Sequence, residues 1–140
     1  MVDEALESAL RALKHRDRST HELDRQLSER GFALAERERA LETLERTGLL
    51  DDGRFARSRA ESLAARGKGD ELIRHDLSGA GVDPDLAEEA ISALEPEIER
   101  ARRIIEARGA SPKTARYLHG RGFSHEVVAA VATGAGGELR

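Results

Sequence analysis

The chain has 140 residues and 15.3 kDa, with 36% charged side chains, 3% aromatic ones and neither Cys nor Trp. That length excludes two large lobes around a deep cleft, and that composition excludes a disulfide scaffold and leaves little material for a β-sandwich core. The formal charge of −4 excludes a protein that coats nucleic acid through bulk charge alone, so partners must be read locally.

The opening MVDEALESAL lacks the basic flank and apolar stretch of a secretory signal, and no apolar run approaches the roughly 20 residues that span a bilayer. A cytoplasmic, all-α protein is expected. In chain order, apolar spacing and cap signals predict helices over 4–15, 19–30 and 34–47, then 52–66, 70–80 and 83–94, then 96–108, 112–121 and 124–133. Leu6, Leu10 and Leu13 set the period of the first, and Leu23 and Leu27 that of the second. Ser19 stands three residues before Glu22, the spacing of a capping box. With Arg30 as the last helical residue, Gly31 can take the left-handed conformation that stops a helix, and Phe32 then folds back on Leu27. Asp51 and Asp52 can cap the helix that follows them. Asp83 before Pro84 and Ser111 before Pro112 each put a side-chain acceptor ahead of a proline suited to the first helical position. From Gly134 the apolar period is lost and fraying is expected.

The signals repeat. Gly31, Gly81 and Gly122 are each followed by an apolar residue (Phe32, Val82, Phe123) and preceded four positions earlier by Leu27, Leu77 and Leu118. Eighteen residues before the glycines stand Leu13, Leu63 and Ile104; twenty-one before, Leu10, Ala60 and Ala101; ten after, Leu41, Ile91 and Ala132. The glycines are 50 and 41 residues apart, the length of a repeat built from three helices. The expected architecture is therefore three tandem three-helix repeats, 1–50, 51–94 and 95–140, in an elongated, curved array. Their net charges are −2, −4 and +2, so the last is the region expected to meet a polyanion. Thr114 falls where the earlier repeats place Leu23 and Ile73, so looser packing is expected there.

An enzyme reading finds no support in the motifs. The histidine pairs 15/21 and 119/125 are each six residues apart, a poor helical spacing for shared ligation, and no cysteine joins them. There is no nucleophile elbow, no phosphate loop and no dinucleotide fingerprint. No catalytic residue, metal or cofactor is expected. Phe32, Phe55 and Phe123 read as core. Tyr117, beside the core residue Leu118, is left free to stack on a base or to bond a partner. Arg100 and Arg103 form a candidate basic stripe, for which pairing such as Glu99 with Arg103 is the plainer explanation.

The strings RDRSTHELDRQLSERGF from Arg16, LERTGLLDDGRFARSRAESLAARGKG over 44–69 and ARYLHGRGFSHEVV over 115–128 closely resemble the RecX family of bacterial regulators of the RecA recombinase. Most specific are the Ser19 cap with Glu22 and Leu23, the Gly48 to Asp52 junction running on to Phe55 and Ala56, the Arg66 to Gly69 turn, and Arg121-Gly122-Phe123. The resemblance implies three three-helix repeats that bind along the groove of the RecA filament on single-stranded DNA and modulate it, usually by inhibition. Partner contacts are then expected from Arg16, Arg18, Arg25, Arg30, Arg66, Lys68, Arg74, Lys113, Arg116 and Arg121. Arg66 with Lys68 leads, because glycines on both sides let the backbone present them to a phosphate or carboxylate. Cations at helix ends are also stabilised by the exposed carbonyls, which alone would account for Arg16, Arg66 and Arg108. A direct DNA-binding helical module is the alternative, and a monomer is expected because no heptad seam is left over.

Overall fold

The computed structural model describes residues 3–132; the fraying expected from Gly134 lies outside them. Among the described residues there are nine helices and no strand: α1 (Glu4–His15), α2 (Thr20–Glu29), α3 (Leu34–Arg46), α4 (Asp52–Ala65), α5 (Asp70–Gly79), α6 (Pro84–Ser92), α7 (Glu97–Arg108), α8 (Pro112–Gly120) and α9 (His125–Ala132). The starts follow the cap chemistry. Ser19 accepts from the Glu22 amide while Glu22 accepts from the Ser19 amide; Asp83 accepts from Asp85 N–H and Ser111 from Thr114 N–H, both in the first turn of the helix that follows. The 6→1 bonds of the glycine stops are present too, from Phe32, Val82 and Phe123 N–H back to Leu27, Leu77 and Leu118 C=O. Gly48 and Gly67 close α3 and α4 in the same way, with φ of +80° and +82°.

Three separate cores result. Ala9, Leu23, Leu27, Leu41 and Leu44 pack among α1–α3; Phe55, Ala60, Ile73, Leu77 and Ile91 among α4–α6; Ala101, Leu118, Phe123, Val128 and Val131 among α7–α9. The third has five fully buried apolar residues against seven in the first and eleven in the second, and Thr114 is buried beside it with its hydroxyl on Ser111.

One expected register is corrected. Ala9 is buried and Leu10 is 39% exposed, whereas Ala60 and Ala101 occupy the predicted inner positions. The cause is the exit of α1. Asp17 stands where the second repeat has Gly67, so α1 ends in extended backbone at Arg16 instead of a glycine turn, and the helix is seated one residue out of phase. The ninth helix shifts similarly, burying Val131 ahead of the partly buried Ala132.

Helix faces pack within each trio; the trios meet end to end. At the first junction the N-terminus of α2 meets the stop of α5. The Ser19 hydroxyl donates to Ala80 C=O at 2.5 Å, and a Cβ on Gly81 would fall inside the His21 side chain. At the second, the N-terminus of α5 meets the stop of α8: Gly69 N–H donates to Arg121 C=O at 2.8 Å and Glu71 N–H to Gly122 C=O at 3.1 Å. Each junction also passes a carboxylate backwards. Thr20 N–H donates to Asp52 at 2.7 Å, and Asp70 N–H to Glu97 at 2.7 Å, so the first residue of one trio's leading helix caps the middle helix of the trio before it. Asp51 caps α4 as expected, but Asp52 serves α2 instead.

Gly69 has φ −85°, open to any residue, yet a Cβ there would lie 2.5 Å from the Gly122 carbonyl. Gly69→Ala should therefore cost stability through the junction alone, and thermal unfolding should split into two transitions where the parent is expected to give one. Leu27→Ala in the first core should cost about 2–5 kcal/mol in urea denaturation.

Candidate binding surface

The predicted contact residues fall into three groups. Arg16, Arg18 and Arg25 line a cleft of about 380 Å³ with His21, Gln26 and Gly79, between the first two trios. Two acids share it: Arg16 lies 3.6 Å from Glu22 and Arg25 lies 3.9 Å from Glu29. Arg18 turns inward, its Nε on Ala12 C=O at 3.4 Å, and so closes the end of α1 that lacks a glycine. Arg30 caps α2 apart from these, beside Arg11, Glu4 and Glu7.

Arg74 is committed elsewhere. It bridges α5 to α6 through Glu88 and also pairs with Glu71. The Glu88 hydrogen bond holds the guanidinium proton more tightly than usual, and in return the Glu88 carboxyl titrates below the ordinary glutamate range. A second strap of the same kind, Arg59 to Asp76 at 2.8 Å, ties α4 to α5.

Arg66, Lys68, Lys113, Arg116 and Arg121 make the third group. Arg121 donates to Arg66 C=O, so the fourth-helix turn and the eighth-helix stop are stitched together. The glycines of the Arg66–Gly69 turn act differently from the expectation. Gly67 closes α4 with positive φ, and Gly69 is buried where the backbone of the third trio presses against it. The turn presents carbonyls as well as cations: Lys68 C=O accepts from Arg100 at 3.1 Å.

Arg100 is 10% exposed and paired to Asp70, so it belongs to the junction and not to a basic stripe. The expected Glu99–Arg103 pair is replaced by Glu99–Arg102 at 2.6 Å, while Arg103 reaches back to Glu95. Tyr117 is likewise not free. The Arg108 guanidinium sits 3.6 Å above its ring and the Arg121 guanidinium 5.7 Å from the same centroid. Arg108 was legible only as a helix end. The signal that marks it is the absence of any Asp or Glu from Ala107 to His125. His119 and His125 stack at 5.6 Å, and among the described residues no group of three His, Cys, Asp or Glu side chains is placed to hold a metal ion. No described helix is long and apolar enough to cross a membrane.

Three-helix units keyed end to end, with cations distributed over successive units, define a helical-repeat protein. Comparison with known proteins gives the class its family. The models for the first and second three-helix domains of RecX match residues 5–44 and 51–91. The regulatory protein RecX of Chromohalobacter salexigens is 35% identical over 131 residues, covering 87% of this chain and 86% of its own. That of Halorhodospira halophila is 33% identical over 139 residues, covering 92% and 86%. The crystal structure of RecX from Lactobacillus salivarius superposes with a TM-score of 0.80 at 19% identity over 93% of both chains, which speaks for the fold. The chain belongs to the RecX family of regulatory proteins.

The Arg74–Glu88 strap gives a pH signature. A carboxyl with a lowered folded-state pKa stabilises at pH above its unfolded value, and that contribution is lost as pH falls through the folded one. Both side chains are partly solvated, which limits the pair to roughly 0.2–1 kcal/mol. Glu88→Gln should lower stability by that amount at neutral pH, and the difference from the parent should vanish on acidification below the glutamate range, as read by urea titrations at several pH values.

Proposed function

We propose that this chain regulates the RecA recombinase by binding the RecA filament on single-stranded DNA, lowering its ATPase and recombinase activity without catalysing a reaction itself. Three units, 1–50, 51–94 and 95–140, act as one cytoplasmic, monomeric reader, with no cofactor. What supports the reading most is the pair of keyed junctions in a member of this regulatory family. A repeating reader suits a repeating target, since several weak contacts on successive subunits sum to firm attachment once their spacing is fixed. Arg16, Arg25, Arg30, Arg66, Lys68, Lys113 and Arg116 are the solvent-facing cations assigned to that contact. Arg18 and Arg74 support it from within the fold, while Arg121 both ties the Arg66 turn and lies near the Tyr117 ring.

ATP hydrolysis by the cognate RecA on single-stranded DNA, titrated with this protein, tests the reading. Hydrolysis should fall at protein concentrations that leave bare DNA unbound at the same salt. No effect on hydrolysis together with tight, steeply salt-dependent DNA binding would favour a direct DNA-binding module instead. Arg66→Ala with Lys68→Ala should weaken filament binding and leave the helical circular dichroism unchanged, because the backbone carbonyls that tie the turn remain.

A further inference from the structure

We infer that the face of α8 carrying Lys113, Tyr117 and Arg121, together with Arg108 and the Arg66 turn, is a binding surface for single-stranded nucleic acid. The inference deepens the filament reading, for it assigns the DNA side of that contact to one place on the molecule.

The charge distribution singles this place out. Elsewhere most arginines are spent on carboxylates: Arg37 on Asp24, Arg59 on Asp76, Arg74 on Glu88, Arg100 on Asp70. Among the described residues, Arg11, Lys14, Arg18, Arg30, Arg39 and Arg57 are also without an ion pair but are spread over α1–α4, whereas Arg66, Lys68, Arg108, Lys113, Arg116 and Arg121, likewise unpaired, gather at the second junction and along α8. No carboxylate interrupts the chain from Ala107 to His125, and α8 alone among α1–α9 has a first turn with no acid or a helix body free of one. A chain that is acidic overall therefore carries a stretch, 107–125, whose charged side chains are all cationic.

The geometry says which anion suits it. Lys113, Tyr117 and Arg121 recur every four residues along one side of α8 and its C-cap, spanning roughly 12 Å. The Arg108 guanidinium carbon sits 3.6 Å from the Tyr117 ring centroid on an exposed residue, and an arginine so placed offers a base something to stack on. Arg121 reaches the same ring from the junction, and its Nε is buried with no hydrogen-bond acceptor in the protein. Cations at both ends of a stacking plane match a strand with exposed bases and a phosphate backbone. An acidic peptide would use the cations and leave the plane idle. The first junction has no counterpart, because Ala80 stands where the second has Arg121.

The test is binding of a fluorescently labelled oligothymidylate to the full chain at low ionic strength, followed by anisotropy and by the emission of Tyr117. That residue is the chain's one tyrosine, and with no tryptophan present its signal reports this face alone. Lys113→Gln and Arg108→Gln should each weaken binding roughly three- to tenfold and flatten the logarithmic salt slope by about 0.7. Arg39→Gln, an exposed cation on α3, should leave both unchanged, and circular dichroism should be the same in all three. Equal loss in all three variants would overturn the inference in favour of diffuse attraction. Displacement by polyglutamate at the same charge concentration would overturn it in favour of an acidic protein surface, as would binding that leaves Tyr117 emission unaltered. The hydrolysis assay runs alongside: oligothymidylate binding on α8 with no effect on RecA would sink the filament reading and leave this face standing.

Discussion

At the second junction the backbone of Gly69 lies against the backbone of Gly122 with no space for a side chain on the former, and the rest of the array depends on that approach. Two helices can bring their main chains this close where one has just ended and the other is about to begin. A helix stop offers carbonyls with free lone pairs, and a helix start offers N–H groups with no partner inside the helix. Each end supplies what the other lacks. The glycine stops thus serve twice, first turning the chain within a trio and then supplying the acceptor on which the preceding trio docks. The first junction solves the same problem with a hydroxyl, since Ser19 puts an O–H where Gly69 puts its own N–H.

The carboxylates passed between trios follow from the same shortage. Thr20 and Asp70 open their helices with a backbone donor that the helix cannot satisfy, and Asp52 and Glu97 bring a charged acceptor from the trio behind. Charge-assisted bonds of this kind are stronger than neutral ones and favour the positive end of the helix. Arg54 and Arg100 then neutralise the surplus acid nearby, on Asp17 and Asp70. Much of the chain's abundant charge is therefore architecture, and only what is left after these pairings is open to a partner.

What the residues reveal unaided follows from how local each interaction is. The stops at Gly31, Gly81 and Gly122, the Ser19 box and the inner leucines Leu23, Leu27 and Leu118 are legible because each involves residues within a turn or two. Leu10 is misread because its phase depends on how α1 exits, which Asp17 decides from seven residues away. Asp52 looks like a cap for its own helix, and spacing alone cannot reveal that it serves Thr20, 32 residues earlier. Of the contact residues, Arg74 stands in a periodic, basic position like the others, and only the folded neighbour Glu88, 14 residues on, separates it from the cations that remain free. Arg108 and Tyr117 are nine residues apart with a turn between, so their stacking is invisible to any periodicity.

The small third core has a thermodynamic corollary. In a linear array each unit's stability is the sum of its own core and its shared boundary, so the unit with five buried apolar residues leans on the Gly69–Gly122 seam for its order. A ligand that binds only the folded form of that unit shifts its folding equilibrium by mass action, and the seam carries the gain to its neighbour. Occupancy of the α8 face would then be felt along the molecule as stiffening, a coupling between what the last unit holds and how firmly the first two are presented.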